Sequence, residues 1–290
     1  IFFNRFKKLN FGELGILGFF VIVVLSYSSS YIFAHNYIHN LIIHSIGIIF
    51  FLNNFYKSIK EKKFQLKKII IIFLVLLSGI YVFKNHDDFP YYHLTYALNL
   101  SNDSFFIGTG VLGHGFRTAS SIFYYHSTLY LPFIKFYLFH SGPFLILIYF
   151  NYIILSKIIK KFKSKSIDLV YYFSLLSLIF IDVVFYRIGE HGTDRSGQLL
   201  LLLAFVYFLE LFFLEKKIEE KEKLFNYLLI LIFLSASTKV LYILYLLLIP
   251  FVYFKSNFYK NYSFKKNTFL IFFLTLSLSL NLSVSFFSTG

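Results

Sequence analysis

The sequence predicts an all-α, polytopic transmembrane helical bundle with about 8–9 hydrophobic passes and interfacial helices in a long outward loop. Three observations predict it. The chain is 58% hydrophobic and only 14% charged, against about a quarter charged in an ordinary soluble domain. Its apolar residues fall in blocks of roughly 15–25, the length a helix needs to cross ~30 Å of hydrocarbon. Such blocks must be helical, because lipid offers no partner for backbone N–H and C=O groups. Finally, the basic residues gather in a few short stretches instead of spreading evenly.

The first three passes are drawn at 12–34, 41–56 and 69–84. Basic clusters lie at Arg5/Lys7/Lys8, Lys57–Lys68, Lys157–Lys165, Lys216–Lys223 and Lys255–Lys266, and hold 22 of the 28 Lys and Arg. The positive-inside rule puts these clusters in the cytoplasm. Segments 35–40, 85–141, 187–197 and the turn at Ser237–Lys239 are then outside. This pattern closes only if 122–141 does not cross. That segment carries Pro132, Lys135, two His and several Tyr, and reads as an interfacial or re-entrant helix. Further passes follow at 142–156, 167–186 and 198–214. Residues 225–254 are too long for one pass and too short for two full ones. Basic loops on both sides predict a hairpin of short helices, 225–237 and 240–254, with Lys239 at the outward tip. The last pass is 267–286.

The chain divides into an N-terminal helical hairpin with its cytoplasmic loop (1–68) and a transmembrane core (69–290) bearing the outward loop 85–141. With no Met, even at position 1, and a stop inside an apolar segment, it reads as a fragment lacking both ends. The absence of Cys excludes disulfides and thiolate chemistry. A net charge of +14 would suggest nucleic acid in a soluble protein. Here the lipid bilayer accounts for it, and no nucleic-acid partner is expected. The expected location is a bacterial inner membrane, multi-pass, with the active face outside the cytoplasm.

All nine His fall in predicted outer loops or outer helix ends, as do Arg117, Arg187 and Arg195. Polar chemistry is therefore concentrated on one side. Four motifs stand out there. In Asn85–His93, two adjacent carboxylates, Asp87 and Asp88, are flanked by His86 and His93. Like charges and partial desolvation raise a carboxylate's pKa toward a useful range. A divalent metal held by His86, Asp87 and His93 is compatible with the motif and not required by it. The plain alternative is a solvated helix end, with Asp and Asn as caps and Pro90 in the first turn.

The string Gly108–Thr118 contains a literal G-x-G-x-x-G, but no strand precedes it and no acid lies about 20 residues on, so the dinucleotide reading fails. Its free N–H groups and Arg117 could still hold a phosphate; otherwise it is a glycine linker. Arg187–Gln198 packs Arg187, Glu190, His191, Asp194 and Arg195 into one loop. The two Arg could clamp phosphate oxygens bidentately, or the loop is a salt-bridged turn. Lys239 is placed to meet a lipid phosphate, or snorkels to the interface.

Together these pieces resemble membrane glycosyltransferases of the GT-C class. The resemblance rests on Asp87-Asp88 in an outward loop, the interfacial stretch 89–141, and Thr238-Lys239 in a short-helix hairpin. One departure is that the acidic loop follows the third pass, where the class has it after the first. The resemblance implies transfer of a sugar from a polyprenyl-phosphate-linked donor on the extracytoplasmic face. Asp88, or Asp87, is then the general base. His86, His93, Arg117, Arg187, Glu190, His191, Asp194, Arg195 and Lys239 are the substrate-binding candidates. The competing readings are a transporter or flippase for a lipid-linked or anionic substrate, and a non-catalytic membrane partner. A transporter should carry repeated halves and charges near the midplane; no clear repeat is present and the charges cluster outside.

Overall fold

A computed structural model describes residues 9–81, 87–105, 107–184, 192–213, 218–255 and 262–289. These residues form helices and turns, with no strand among them. Helix α1 (Phe11–Ser30) starts from a reciprocal cap. Asn10 Oδ1 accepts the Glu13 N–H at 2.9 Å, and Glu13 Oε2 accepts the Asn10 N–H at 2.7 Å. Two orphan donors of the first turn are thereby satisfied. Helix α1 runs through the centre of the molecule, with Ile16, Phe20, Val23, Val24 and Tyr27 buried.

Around it stand α5 (Ser141–Lys163), α7 (Thr193–Phe213), α8 (Ile218–Thr238) and α10 (Phe264–Thr289). Helices α1, α5, α7 and α10 are each long and apolar enough to cross a membrane. The helices that face outward expose hydrocarbon: Phe269, Phe272 and Phe286 on α10, Tyr172, Leu176 and Ile179 on α6 (Leu169–Ile179). An apolar exterior over an apolar interior is what a lipid solvent demands.

The helices alternate in direction, so the bundle has two chemically different ends. At one end lie the start of α1 and the finish of α5 and α7. There Tyr207 donates a short hydrogen bond to Glu13, and Lys157 Nζ reaches Glu210 Oε1 at 2.6 Å while sitting 4.0 Å from the centre of the Tyr207 ring. Lys161–Asp168 (2.5 Å) and Lys266–Glu222 (3.1 Å) lie at the same end. At the other end α8 stops and 89–140 folds over the bundle as short pieces: a π-helical turn at Phe89–His93, α3 (Leu94–Asn102), two 3₁₀ turns, and α4 (Ser121–Ser127). No spanning helix forms within 122–141, as the charge pattern required.

Helix α10 ties this end together. Asn281 Nδ2 donates to Tyr27 Oη (2.7 Å), Ser237 O (3.1 Å) and Ala119 O (3.4 Å). One of these acceptors, Ser237 O, sits immediately beside the break between α8 and the next helical segment. That break is at Lys239, whose extended backbone (φ −150°, ψ 122°) separates α8 from a 3₁₀ stretch, Val240–Leu247, and from α9 (Leu248–Lys255). Two helical segments meeting at Lys239 are as expected.

The stretch at 57–68 is not. Helix α2 runs unbroken from Tyr37 to Tyr81, so the expected cytoplasmic loop at 57–68 is helix. Charge interrupts the apolar run there, yet Lys, Glu, Gln and Leu are good helix formers and neither Gly nor Pro interrupts them. Helix α2 touches the body through His44, whose Nε2 lies 2.8 Å from Thr128 O, and through Phe73, whose ring packs 5.6 Å from that of Phe144.

Two predictions follow from the cavity-end packing. Replacing Asn281 by Ala leaves Ser237 O and Tyr27 without their shared donor. The loss should be about 1–3 kcal/mol, read as a lower thermal unfolding midpoint in detergent. His35 is fully buried between Ser127 Oγ (2.6 Å) and Ser29 Oγ (3.0 Å). Burial, then the neighbouring His39, lowers its pKa to about 3. The unfolded chain, with a value of about 6.5, binds the proton first. Stability should therefore be full above about pH 6.5 and fall toward pH 3, by up to about 1.4 kcal/mol per pH unit. In His35→Gln the acid slope of the unfolding midpoint should flatten.

Candidate functional site

A cavity of about 1030 Å³ opens at the end where α8 stops. Four chain segments wall it. The first begins with Asp88, which precedes the π-helical turn that Pro90 helps start. Its carboxylate makes no capping bond to that turn. Instead Oδ2 accepts a hydrogen bond from Tyr92 Oη at 3.2 Å, one helical turn along. Loss of solvent, then the charge of Asp88, raises the Tyr92 phenol to about 12; Asp194 adds to it. Tyr92 is therefore a fixed donor at any physiological pH.

The second wall is Leu112–Ser120. Gly115 lies so close to Tyr92 that a Cβ would fall 2.2 Å from its ring. Gly113 has φ +155°, and Gly108, at φ +83°, turns the chain into the loop from the left-handed region. Helix α10 holds the loop: Ser288 Oγ donates to Arg117 O (3.0 Å), and Ser285 Oγ accepts the Ala119 N–H (3.2 Å). Arg117 is exposed on the cavity lining.

The third wall is the start of α7, Gly192–Arg195 and Gln198. The fourth is Thr238–Leu241, across the helix break. Gly197 permits their contact, since a Cβ there would lie 2.2 Å from the Tyr242 ring and 2.5 Å from Thr238 Oγ1. Lys239 Nζ meets Asp194 Oδ2 at 2.5 Å, both side chains about half exposed, and Tyr242 Oη donates to Asp194 O at 3.0 Å.

The sequence candidates sort clearly. Asp88, His93, Arg117, Asp194, Arg195 and Lys239 all line this cavity, although they come from four separate stretches of chain. Asp87 is exposed and does not line it. His86, Arg187, Glu190 and His191 lie outside the described residues. Among the described residues no group of three His, Asp or Glu converges as a metal site. Asp182, an acid within the apolar segment 167–186, lies away from the cavity and accepts from Asn151 Nδ2 at 3.2 Å. The described His gather at the cavity end, but most serve packing. His126 is buried against Phe139, and burial holds its pKa well below the usual value. Only His93 and His114 reach the cavity. Tyr92 escaped the sequence reading; its signal was the i, i+4 spacing from Asp88.

No protein-family model, curated protein or solved structure matches this chain.

Chemically the cavity brings together the Asp88 carboxylate, held by a phenol, a second carboxylate, Asp194, paired with Lys239, and the further cations Arg117 and Arg195. Its volume is at the upper end of the range for small-molecule sites. An anionic group entering it would compete with Asp194 for Lys239. Because that pair is half exposed, breaking it should cost under about 1 kcal/mol. Asp194→Asn should leave the unfolding midpoint nearly unchanged and tighten pyrophosphate binding in detergent; Lys239→Gln should weaken it. Calorimetric titration showing both variants shifted in the same direction would contradict the pairing's role.

Proposed function

We propose that the chain is a membrane-embedded glycosyltransferase that uses a polyprenyl-phosphate-linked sugar donor at the extracytoplasmic face. The observation that carries this reading is the meeting, in one cavity, of the Asp88 carboxylate with Arg117, Arg195 and Lys239. Asp88 accepts the proton of an acceptor hydroxyl. The hydroxyl oxygen bonds to the anomeric carbon, the bond from that carbon to the phosphate oxygen breaks, and its electron pair leaves with the phosphate. The three cations stabilise the charge that develops there, the preorganised electrostatic effect that dominates many enzymes. Tyr92 orients the carboxylate, and Tyr91, exposed on the lining, offers a stacking face for a sugar.

The orientation and the finer pass count belong to the same proposal. The basic ends of α5 and α10 lie opposite the cavity, so the positive-inside rule turns the cavity outward. Beyond the four long apolar helices, the shorter apolar segments Tyr37–Phe50, Leu169–Val184 and Val240–Phe254, with α8, supply the further passes. A bacterial inner membrane suits a donor carried on a polyprenyl chain.

The test is transfer from a polyprenyl-phosphate sugar in reconstituted vesicles. General-base assistance is worth about 10²–10⁴ in rate, so Asp88→Asn should lose that much turnover with an unchanged unfolding midpoint. Asp87→Asn should retain most of its activity. Full turnover in Asp88→Asn, or movement of substrate across the bilayer with no new glycosidic bond, would overturn the proposal.

A further inference from the structure

Residues 128–140 form a compact knot of turns at the cavity end, closed by a backbone bond from Lys135 N to Leu131 O at 2.8 Å. Its tip is apolar and bare. Phe133 is 99% exposed and Tyr137 73%, with Ile134 and Phe136 exposed between them. Two tip residues, Phe133 (φ 66°) and Lys135 (φ 52°), occupy the left-handed region that side chains other than Gly, Asn and Asp rarely adopt.

The base, by contrast, is fixed. Phe139 is fully buried against the His126 ring. Asn40 Nδ2 holds the carbonyls of Ser127 (2.8 Å) and Tyr130 (2.9 Å), and the Tyr130 ring stacks on Tyr37 at 4.7 Å. A rigid pedestal thus presents a strained apolar tip outward.

We propose that this tip is a hook that inserts into the membrane leaflet at the cavity end. Three observations name lipid as the occupant. The tip's one charge is Lys135, suited to a headgroup phosphate, and the chain carries no acid between Asp103 and Asp168. The clamp at Tyr37 and Asn40 makes the tip continuous with Ile32, Phe33, Ile38, Leu41 and Ile42, a second exposed apolar strip at the same level. A mix of aromatic rings and one snorkelling cation is the composition of interfacial anchors. The hook holds the mouth of the cavity at headgroup depth, and it stands whether or not the cavity transfers sugars.

The chain has no Cys, so single labels can be placed. Phe133→Cys and Tyr137→Cys carry an environment-sensitive fluorophore in vesicles of acyl-chain-brominated phosphatidylglycerol and phosphatidylcholine. Val111→Cys, 90% exposed in the glycine loop, is the water-side control. Labels at 133 and 137 should be blue-shifted and lose intensity with brominated lipid, while the label at 111 does neither. The second tip position covers the case in which the strained Phe133 site does not tolerate Cys. Unquenched tip labels that react freely with an impermeant thiol reagent would overturn the hook. Protection without lipid quenching would assign the tip to a protein neighbour and overturn it equally.

Discussion

The cavity end depends on one buried side-chain amide. Asn281 sits fully buried in α10, a helix whose other faces suit lipid. In hydrocarbon a lone amide would cost several kcal/mol, so α10 must lie where partners exist. They are the Tyr27 hydroxyl on α1 and the Ser237 carbonyl of α8 just before its break. The position of α8's end fixes where the chain turns, and the turn fixes Lys239. The same helix, a turn or two later, holds the Arg117 loop through Ser285 and Ser288. Two of the cavity's three cations are thus positioned by polar groups on one otherwise apolar helix.

Close backbone approach is the second requirement. At Gly197 and Gly115 the space that a Cβ would take is filled by Tyr242 and Thr238, and by Tyr92. Each contact brings a charged residue to the cavity: Asp194 beside Lys239, Asp88 beside Tyr92. These glycines read in the sequence as loop punctuation. Their role is steric, and it appears only once the opposing ring is in place.

Much of this architecture was legible in the sequence because lipid imposes simple rules. The break at Lys239 followed from a segment too long for one pass with basic loops on both sides. The failure of 122–141 to span followed from the same charge count. The gathering of the candidate residues toward one side was read from the loops, but that Asp88, Arg117, Asp194 and Lys239 line one cavity appears only in the fold. What was not legible has physical causes too. Helix α2 runs through 57–68 because charge marks the edge of an apolar block but does not end a helix. Tyr92 was hidden among 24 Tyr, where composition gives a single ring no weight. Asp87 and Asp88 look equivalent in sequence; a helical start turns one into the cavity and the other to solvent.

The two ends of the bundle also bear on what kind of work the cavity does. Beneath it the core is dense: Tyr27, Ser237 and Asn281 close the floor, and the side chains of α8 from Phe225 to Ile232 are buried. At the far end the start of α1 and the finish of α5 and α7 are locked by Glu13 with Tyr207 and by Lys157 with Glu210. The latter pair is nearly dry, and separating buried ionic partners costs about 3–5 kcal/mol. On the proposed glycosyltransferase reading, neither the amide knot at Asn281 nor this ionic lock has to open, because the lipid-borne phosphate is met at one face. Such a catalyst needs only the cavity end to be well held, and that is where the buried hydrogen bonds of α1, α8 and α10 converge.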